Sequence, residues 1–378
     1  MMTFHQLNFK MNSFGTLFKI TSFGESHGNV IGIIIDGCPA GLKIEKDFIQ
    51  SELNKRKPGQ SEISTSRAEE DEVQIISGVY NGYSTGAPIC LIIENKDKDS
   101  SKYEFVRRIP RPSHADYPAM QRFDKWVDLR GGGRFSGRNT AGFVMAGSIA
   151  KLLLKKLNIK IGAYTRKIYN IEDPNTYTVD VINENIEKNS VRTVNLEIAK
   201  KMEQVIMKVK LEKDSVGGII TCIAEGIPPG IGEPIFNSLE SNLAAAMFSI
   251  PAIKGIEFGI GFKASEMKGS QHNDPYEIEP KTKKIITKTN NSGGIIGGIS
   301  NGMPILFNVV VKPTSSIGLE QDSVDLEKFE NTKINIIGRH DPCIVPRTVP
   351  IVEAMTAIVL VDFLMLKVLI PPVLKDDE

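Results

Sequence analysis

The sequence predicts one domain in which β-strands and α-helices are mixed along most of the chain. Short apolar runs of strand length, such as residues 30–35 and 305–311, are interspersed with longer runs of helical periodicity, such as residues 44–55 and 239–250. By length alone, the 378 residues could form about two domains. The chain contains no exact internal repeat and no low-complexity linker, so a single intertwined domain is favoured.

Turn and breaker residues bound the predicted elements in order. The first half is predicted to form strands at residues 17–22, 30–35, 73–76 and 87–93, and a helix at 44–55. The second half is predicted to form a helix at 146–157, a strand at 159–171, a charged solvated helix at 183–213, a strand at 216–225, a helix at 239–250 that Pro251 ends, and strands at 256–262 and 305–311.

Composition excludes several classes of protein. The chain carries 46 Lys and Arg against 45 Asp and Glu, so no excess charge indicates a nucleic acid or a membrane surface as partner. Its four cysteines form no C-x-x-C pair and no metal spacing, which is typical of a reducing cytoplasm. The apolar run 349–370 contains three charged residues and is predicted to be a buried helix that ends at Pro371. Residues 1–11 lack the apolar stretch of a signal peptide, so we expect a short N-terminal extension.

The stretch from Arg130 to Gly142, RGGGRFSGRNTAG, is the strongest candidate for a ligand loop. Consecutive glycines cost backbone entropy on folding, but they let main-chain N–H groups approach an anion. Arg130, Arg134 and Arg138 add positive charge that can bind phosphate or carboxylate. The spacing matches neither the P-loop nor the dinucleotide motif, and a flexible surface turn is the alternative.

Other polar loops carry histidine or glycine. His27 lies in a turn between two predicted strands, where a histidine is more often a simple turn residue than a catalytic one. His114 lies in a loop that two prolines stiffen. Residues 290–302 are rich in glycine, and residues 338–342 bring Arg, His and Asp together. The basic segment 55–67 is equally consistent with a solvated loop and with a lid over an anionic ligand.

Together these loops predict an enzyme that acts on a small, multiply anionic molecule. Arginines at several places indicate a ligand with several negative charges, and histidines can give protons to leaving oxygens near neutral pH. A metal-dependent lyase or phosphatase that uses His27, His114 and Asp341 as ligands is one alternative, although the chain lacks dense metal-ligand spacing. A non-catalytic protein that binds a flavin or a phosphate is another, but it would leave the positioned histidines unexplained.

Four motifs resemble those of the chorismate synthase family in order and spacing. They are GESHG at 24–28, RPSHAD at 111–116, GGGRFSGRNTAG at 131–142 and RHDPCIVPRTVPIVEAM at 339–355. The resemblance implies the anti-1,4-elimination of phosphate from 5-enolpyruvylshikimate 3-phosphate, which gives chorismate in the last common step of the shikimate pathway to aromatic amino acids. It also implies a requirement for reduced FMN without net redox change, and an α+β sandwich of helices between antiparallel β-sheets that assembles as a homotetramer.

The resemblance divides the chain into an N-terminal extension at 1–11, a catalytic domain at 12–370 and a C-terminal tail at 371–378. It assigns to His27 the protonation of the departing phosphate and to His114 a role at the reduced flavin. Asp341 would lie beside flavin N5 and help it to take the C6 proton. Substrate binding falls to Arg56, Arg111, Arg138 and Arg339. Cofactor binding falls to Arg56, Arg134, Phe135, Ser136, Ala252, Gly297, Lys312, Pro313, Thr314, Ser315, Ser316 and Arg339. No metal is implied.

The sequence departs from the family pattern at several positions, three of which affect the predicted binding residues. Phe135 stands where a serine is usual, and Pro251 stands where many members have asparagine. Glu62 occupies a position where many members carry a substrate-binding arginine, for which Arg67 is the candidate replacement. Reduced FMN could come from NADPH through the chain's own activity or from a separate flavin reductase, and the sequence leaves this choice open. We expect a cytoplasmic protein.

Overall fold

A computed structural model describes residues 12–57, 59, 63, 71–96, 101–336 and 340–375. The strands are β1 (Ser13–Phe14), β2 (Lys19–Gly24), β3 (Val30–Asp36), β4 (Gln74–Ser77), β5 (Val79–Tyr80), β6 (Tyr83–Ser84), β7 (Ile89–Glu94), β8 (Lys160–Ile168), β9 (Ile171–Glu172), β10 (Gly218–Glu225), β11 (Ile253–Phe258), β12 (Tyr276–Ile278), β13 (Ile285–Thr287), β14 (Ile295–Ile296), β15 (Ile299–Ser300), β16 (Ile305–Val311), β17 (Glu320–Asp325) and β18 (Glu330–Asn335). The helices are α1 (Lys46–Arg56), α2 (Asp116–Phe123), α3 (Thr140–Lys156), α4 (Val179–Asn185), α5 (Leu196–Leu211), α6 (Leu239–Phe248), α7 (Gly269–His272) and α8 (Val345–Leu366).

Two five-stranded antiparallel sheets form the outer layers. The first has the strand order β1-β2-β3-β7-β4, and the second has the order β11-β16-β10-β8-β9. In β7 and β16, buried residues alternate with more exposed ones, as expected where one face of a strand packs on a core. The predicted strands in these sheets are therefore confirmed within a few residues at their ends.

Helices fill the space between the sheets. Helix α3 packs on β3 of the first sheet and on α8, while α8 packs on β8 and β10 of the second sheet. The two helices approach closely where Gly147 faces Ala354, because a Cβ on Gly147 would lie 2.3 Å from the Ala354 Cβ. One hydrophobic cluster runs through both sheets and these helices. The predicted α+β sandwich of helices between antiparallel sheets is thus confirmed.

Helix α8 is the central core helix. Among the described residues it is the one helix long and apolar enough to cross a membrane, but 89% of its most apolar window is buried inside the protein. Pro350 lies inside it and has no N–H to donate to the carbonyl oxygen of Pro346. Arg192 Nη1 donates to that oxygen instead, at 2.9 Å. The carbonyl oxygen of Pro346 therefore keeps a hydrogen-bond partner. Residues in this part of the helix line the cleft described below.

Some elements differ from the prediction. The charged region 183–213 is not one helix, because α4 and α5 are separate and Thr193 between them is buried. The hairpins β12–β13 and β17–β18 have no strong apolar alternation and were not predicted. The C-terminal helix lies at 345–366 instead of 349–370, and the segment after it is hydrogen-bonded to Ala40 through Pro372 and Leu374. Residues 1–11 lie outside the described part of the chain.

Candidate active site

A cleft of about 630 Å³ collects loops from distant parts of the chain. Its lining comes from the end of α1 and from residues within 111–115, 131–140, 248–254, 312–316 and 340–351. Sites for small molecules usually measure about 300–1,000 Å³. The polar loops that the sequence singled out therefore meet at one cavity of suitable size.

Most of the predicted site residues line this cleft. They are Arg56, Arg111, His114, Arg134, Phe135, Ser136, Arg138, Ala252, Lys312, Pro313, Thr314, Ser315, Ser316 and Asp341. Gly297 is not among the lining residues, because it lies in the turn between β14 and β15. Arg339, Glu62 and Arg67 lie outside the described residues, as does most of the segment considered as a lid.

The glycine loop makes room for two histidines. Gly131, Gly132 and Gly133 have φ angles of 58°, 84° and 50°, in the left-handed region that favours glycine. A Cβ on Gly131 would lie 2.0 Å from the ring of His27, and a Cβ on Gly132 would lie 3.3 Å from Nε2 of His114. The sequence predicted that these glycines bring N–H groups to an anion, but their immediate role in the structure is to admit the imidazole rings.

The ring of His27 lies behind this loop. The residue is 5% exposed, and its ring makes an edge-on contact with Tyr103 at a centroid distance of 5.3 Å. Its Nδ1 lies 3.3 Å from the hydroxyl oxygen of Ser26. Gly131, which packs against the ring, lines the cleft, whereas His27 does not. Of the three predicted catalytic residues, His114 and Asp341 therefore line the cavity and His27 lies one layer deeper.

The ring of His114 is held by a buried carboxylate. Its Nδ1 lies 2.8 Å from Oδ1 of Asp116, whose side chain is fully buried. Arg111 binds the same carboxylate with Nε and Nη2, both at 2.8 Å. Burial alone would raise the pKa of Asp116, but hydrogen bonds from Arg111 and His114 hold that pKa well below its usual range. Asp116 is therefore an anion that binds two cleft residues at once.

A second buried carboxylate, Asp71, joins two cleft arginines. Arg56 Nη2 donates to it at 3.0 Å and Arg138 Nη1 donates at 2.8 Å. Burial would raise the pKa of Asp71, but the two guanidinium groups lower it below its usual value. Arg138 also donates through Nε to Asn95, whose side-chain amide donates to the main-chain oxygens of Glu25 and Gly28. The arginine pair is thus tied to the loop that carries His27.

In the glycine loop, Arg134 and Arg130 donate hydrogen bonds to neighbouring groups of the protein. Arg134 donates to the hydroxyl and carbonyl oxygens of Ser22 and to the carbonyl of Gly24, on β2. Arg130 binds Asp128 with Nε and Nη2 on the exposed side of the loop. The expectation that all three arginines point their charge at one anion is therefore corrected. Arg134 lines the cleft with its guanidinium committed to β2, and Arg130 faces away.

The segments 252–254 and 312–316 bring two lysines and an unpaired hydroxyl to the cleft. Lys312 Nζ donates to the carbonyl of Ser113 at 2.8 Å, and burial together with nearby Lys254 lowers the pKa of Lys312. Ala252 has a φ of 72°, and its carbonyl accepts from the Lys312 N–H at 2.9 Å. The hydroxyl of Thr314 is buried and has no hydrogen-bond partner among the described residues. Such strained and unsatisfied groups are typical of a binding site.

The sequence did not single out Arg347, which anchors the last predicted catalytic residue. Its Nη1 donates to Asp341, and its Nε donates to the carbonyl of Arg56 at 3.2 Å. His340 also lines the cleft. Burial and the nearby Arg111 lower the pKa of His340, which favours the neutral imidazole. Arg347 lies within the quoted motif at 339–355, so its position was visible in the sequence although its partner was not.

The cleft is strongly cationic. Five arginines and two lysines line it, and the described residues contribute one carboxylate to the lining, that of Asp341. Within the same described part of the chain, no group of three or more His, Cys, Asp or Glu side chains is arranged to hold a metal ion. The alternative of a metal-dependent lyase therefore lacks a ligand cluster there.

The fold and the cleft define an α+β protein with a cationic cavity beside positioned histidines. A family model described as chorismate synthase matches residues 18–365. The chorismate synthase of Dehalococcoides mccartyi is 50% identical over 364 residues, which are 96% of this chain and 99% of that protein. The chorismate synthase of Korarchaeum cryptofilum is 49% identical over 352 residues, which are 93% of this chain and 97% of that protein.

A solved structure described as the crystal structure of chorismate synthase matches with a TM-score of 0.72 and 30% identity. The match covers 92% of this chain and 91% of the solved one. The chain therefore belongs to the chorismate synthase family, whose members are carbon–oxygen lyases of aromatic biosynthesis.

Proposed function

We propose that this protein eliminates phosphate from 5-enolpyruvylshikimate 3-phosphate in the anti-1,4 sense and so produces chorismate, the last common intermediate of the shikimate pathway. The observation that carries the proposal is the charge of the cleft, in which five arginines and two lysines surround a cavity of about 630 Å³. A substrate with two carboxylates and a phosphate needs such a set of cations, because arginine binds both groups with paired, charge-assisted hydrogen bonds.

The cleft also fits a bound FMN. The unpartnered hydroxyl of Thr314 and the lysine at 312 supply a donor and a charge suited to a phosphate, and Ala252, with its left-handed backbone, lines the cleft nearby. We expect Arg134, Phe135, Ser136, Ala252 and residues 312–316 to hold the cofactor, together with Arg339. When bound, reduced FMN supplies a group that can lend an electron or accept a proton without being consumed.

The protein contributes fixed positive charges to substrate binding. Asp71 neutralises only one of its two partners, Arg56 and Arg138, so one positive charge of that cluster is left for the substrate. Arg111 is held in place by its ion pair with the buried carboxylate of Asp116, beside His114. Preorganised charges of this kind cost no reorganisation when negative charge develops on the leaving phosphate. We assign substrate binding to Arg56, Arg111 and Arg138.

We assign proton transfer to His27, His114 and Asp341. Asp341 and His114 line the cleft and need no rearrangement to meet a ligand there. His27 does not line the cleft and lies behind Gly131, and we assign to it the proton for the departing phosphate on the resemblance of its motif. Arg347 keeps the carboxylate of Asp341 beside the main chain of Arg56, which places the base next to the residue that binds substrate.

We further propose that the protein works in the cytoplasm as a homotetramer. Either the chain reduces its flavin with NADPH, or a separate flavin reductase supplies reduced FMN. Turnover with NADPH in place of a chemical reductant distinguishes these two sources.

The test is anaerobic phosphate release from 5-enolpyruvylshikimate 3-phosphate with chemically reduced FMN, with and without EDTA. Release that depends on reduced FMN and is unchanged by EDTA supports the proposal. A second arm replaces the chemical reductant with NADPH, and turnover there indicates that the chain reduces its own flavin. Asp341→Asn should bind FMN but release little phosphate, whereas the surface variant Asp322→Asn should match the wild type. Absence of release by the wild type, or release that EDTA abolishes, contradicts the proposal.

A further inference from the structure

We propose that Asp116 is a positioning residue for His114: it holds the imidazole with the proton on Nδ1, so that Nε2 is the nitrogen presented to the cleft. The inference rests on the proposed function, in which His114 exchanges a proton with the bound ligands. Asp116 itself does not line the cleft, because its fully buried side chain lies behind Arg111 and His114.

The short contact determines which nitrogen carries the proton. Nδ1 of His114 lies 2.8 Å from Oδ1 of Asp116. An ionised carboxylate can only accept, so a lone pair on Nδ1 would repel it at this distance. Arg111 Nη2 lies 3.1 Å from the same Nδ1 and donates to Oδ1 at 2.8 Å. Arg111 can only donate, so a lone pair on Nδ1 would accept its Nη2–H at 3.1 Å, but the contact of Nδ1 with the ionised Oδ1 is shorter and Nη2 also has that oxygen as an acceptor. A proton on Nδ1 satisfies the carboxylate, whereas a lone pair there would oppose it.

The carboxylate stays ionised because several donors surround it. Oδ2 accepts from the main-chain N–H of Arg111 at 3.0 Å and from its Nε at 2.8 Å, while Oδ1 accepts from Nη2 of Arg111 and from His114. Asp116 is also the first residue of α2, where the helix dipole favours a negative charge. Protonation of this carboxylate near neutral pH is therefore unfavourable.

The other ring nitrogen then becomes the working atom. The position of a Cβ on Gly132 would be 3.3 Å from Nε2 of His114, so the glycine leaves space at that edge of the ring. With Nδ1 protonated and directed at Asp116, only Nε2 can gain or lose a proton. A carboxylate behind an imidazole also fixes the orientation of the ring. His114 can thus accept a proton at Nε2 and return it from the same atom.

The ring's tautomer can be measured without turnover. Solid-state ¹⁵N NMR of histidine-labelled protein, free of flavin and substrate, distinguishes protonated from unprotonated ring nitrogens, and the His114→Gln variant identifies the signals of His114. We expect Nδ1 to be protonated in the wild type. In Asp116→Asn the amide can either donate or accept, so we expect a mixture of the two tautomers. A wild-type spectrum with the proton on Nε2 alone overturns the inference.

Kinetics supply the second arm. Asp116→Asn should lower kcat for phosphate release by at least about 10²-fold, in the range observed when a general acid or base is lost. The FMN dissociation constant, measured by flavin fluorescence, should change by less than about threefold, since charge and hydrogen bonds elsewhere in the cleft are intact. The matched control is Asp180→Asn, which removes a carboxylate that pairs with Lys160 on the exposed surface, away from the cleft. It should leave kcat unchanged.

The outcomes separate this inference from the proposed function. If the wild type turns over and Asp116→Asn retains its kcat within about threefold, the inference fails and the function stands. If the wild type releases no phosphate, the proposed function fails, while the NMR result still decides the tautomer. If Asp116→Asn does not fold, the wild-type spectrum alone decides whether Nδ1 carries the proton.

Discussion

Two buried charge clusters lie one turn apart on α1, and they differ in their balance of charge. At the cleft, Asp71 binds two arginines, Arg56 and Arg138, and all three side chains are at most 7% exposed. One turn earlier on the helix, Glu52 shares the amine of Lys151 with Glu353 on α8, with both contacts at 2.6 Å. The first cluster has two arginines and one carboxylate, so one positive charge is not neutralised. The second has two carboxylates, and Lys55 joins Lys151 to balance them from a partly exposed position.

The difference indicates what each cluster is for. Buried charges are costly unless they are paired, so a balanced cluster in the core can persist as part of the structure. A surplus cation at a cavity is destabilising until an anion binds, and a substrate can provide that anion. The second cluster borders a smaller cavity of about 290 Å³, but its charges satisfy one another. Charge balance, more than burial, distinguishes the binding cluster from the structural one.

Breaking the core cluster should have the largest effect on stability. Lys151→Met leaves two buried carboxylates without their shared cation, and breaking a buried ion pair costs about 3–5 kcal/mol. We expect urea unfolding to show a loss of that size, while kcat/KM per folded molecule stays within about threefold of the wild type. A variant with normal stability and reduced kcat/KM would reverse the assignment of the two clusters.

Acid should weaken the core cluster in a defined pH range. Burial alone would raise the pKa of Glu52, but Lys151 and Lys55 lower it from 4.5 to about 2. A folded pKa below the unfolded one means that the stabilisation is present above the unfolded pKa and is lost as the pH falls toward the folded one. We expect about 3 kcal/mol of unfolding free energy to disappear between about pH 5 and pH 2.

The control for this pH effect is Glu52→Gln, which lacks the titrating group. It should be less stable than the wild type at neutral pH, and its further loss on acidification should be smaller by about 3 kcal/mol. Equal acid sensitivity of the two proteins would show that Glu52 does not carry the effect. Equilibrium urea unfolding across the pH range provides the measurement.

Breaking the cleft cluster should affect function more than stability. Arg138→Met removes the surplus cation but leaves Asp71 paired with Arg56. We expect kcat/KM for phosphate release to fall about 10²-fold, equivalent to about 2.7 kcal/mol, since truncating one member of a buried charge pair costs about 2–5 kcal/mol. Urea unfolding should show a smaller loss than for Lys151→Met. If the two stability losses are equal, the charge-balance argument is wrong.

The smallest effect on the free energy of unfolding is expected at an exposed ion pair. Lys188 and Glu184 lie 3.8 Å apart with side chains 49% and 74% exposed. Exposed pairs at this spacing contribute about 0.3–0.5 kcal/mol. Lys188→Met should therefore change the unfolding free energy by no more than about 0.5 kcal/mol and leave kcat/KM unchanged. A larger change would mean that these surface charges contribute more than their exposure indicates.

Local sequence patterns were sufficient for much of the fold. The short apolar run of β16 and the long apolar run of α8 predicted both elements, because the length of a buried apolar run distinguishes a strand from a helix. The hairpin β17–β18 was missed because its residues are mostly polar, so that no period distinguishes strand from loop. The break between α4 and α5 was missed because propensity and charge alone do not report the burial of Thr193.

For the site, the sequence by itself determined the family motifs and the residue types of the cleft. His114 and Asp341 were selected from motifs whose residues are neighbours in the chain, and both line the cavity. Only the tertiary structure decided the partners. Arg138 meets Asp71 across 67 positions, and Arg347 meets the main chain of Arg56 across 291. Local periodicity reports on neighbours a few residues away, whereas a buried charge is stabilised by whichever opposite charge the packed fold brings within reach.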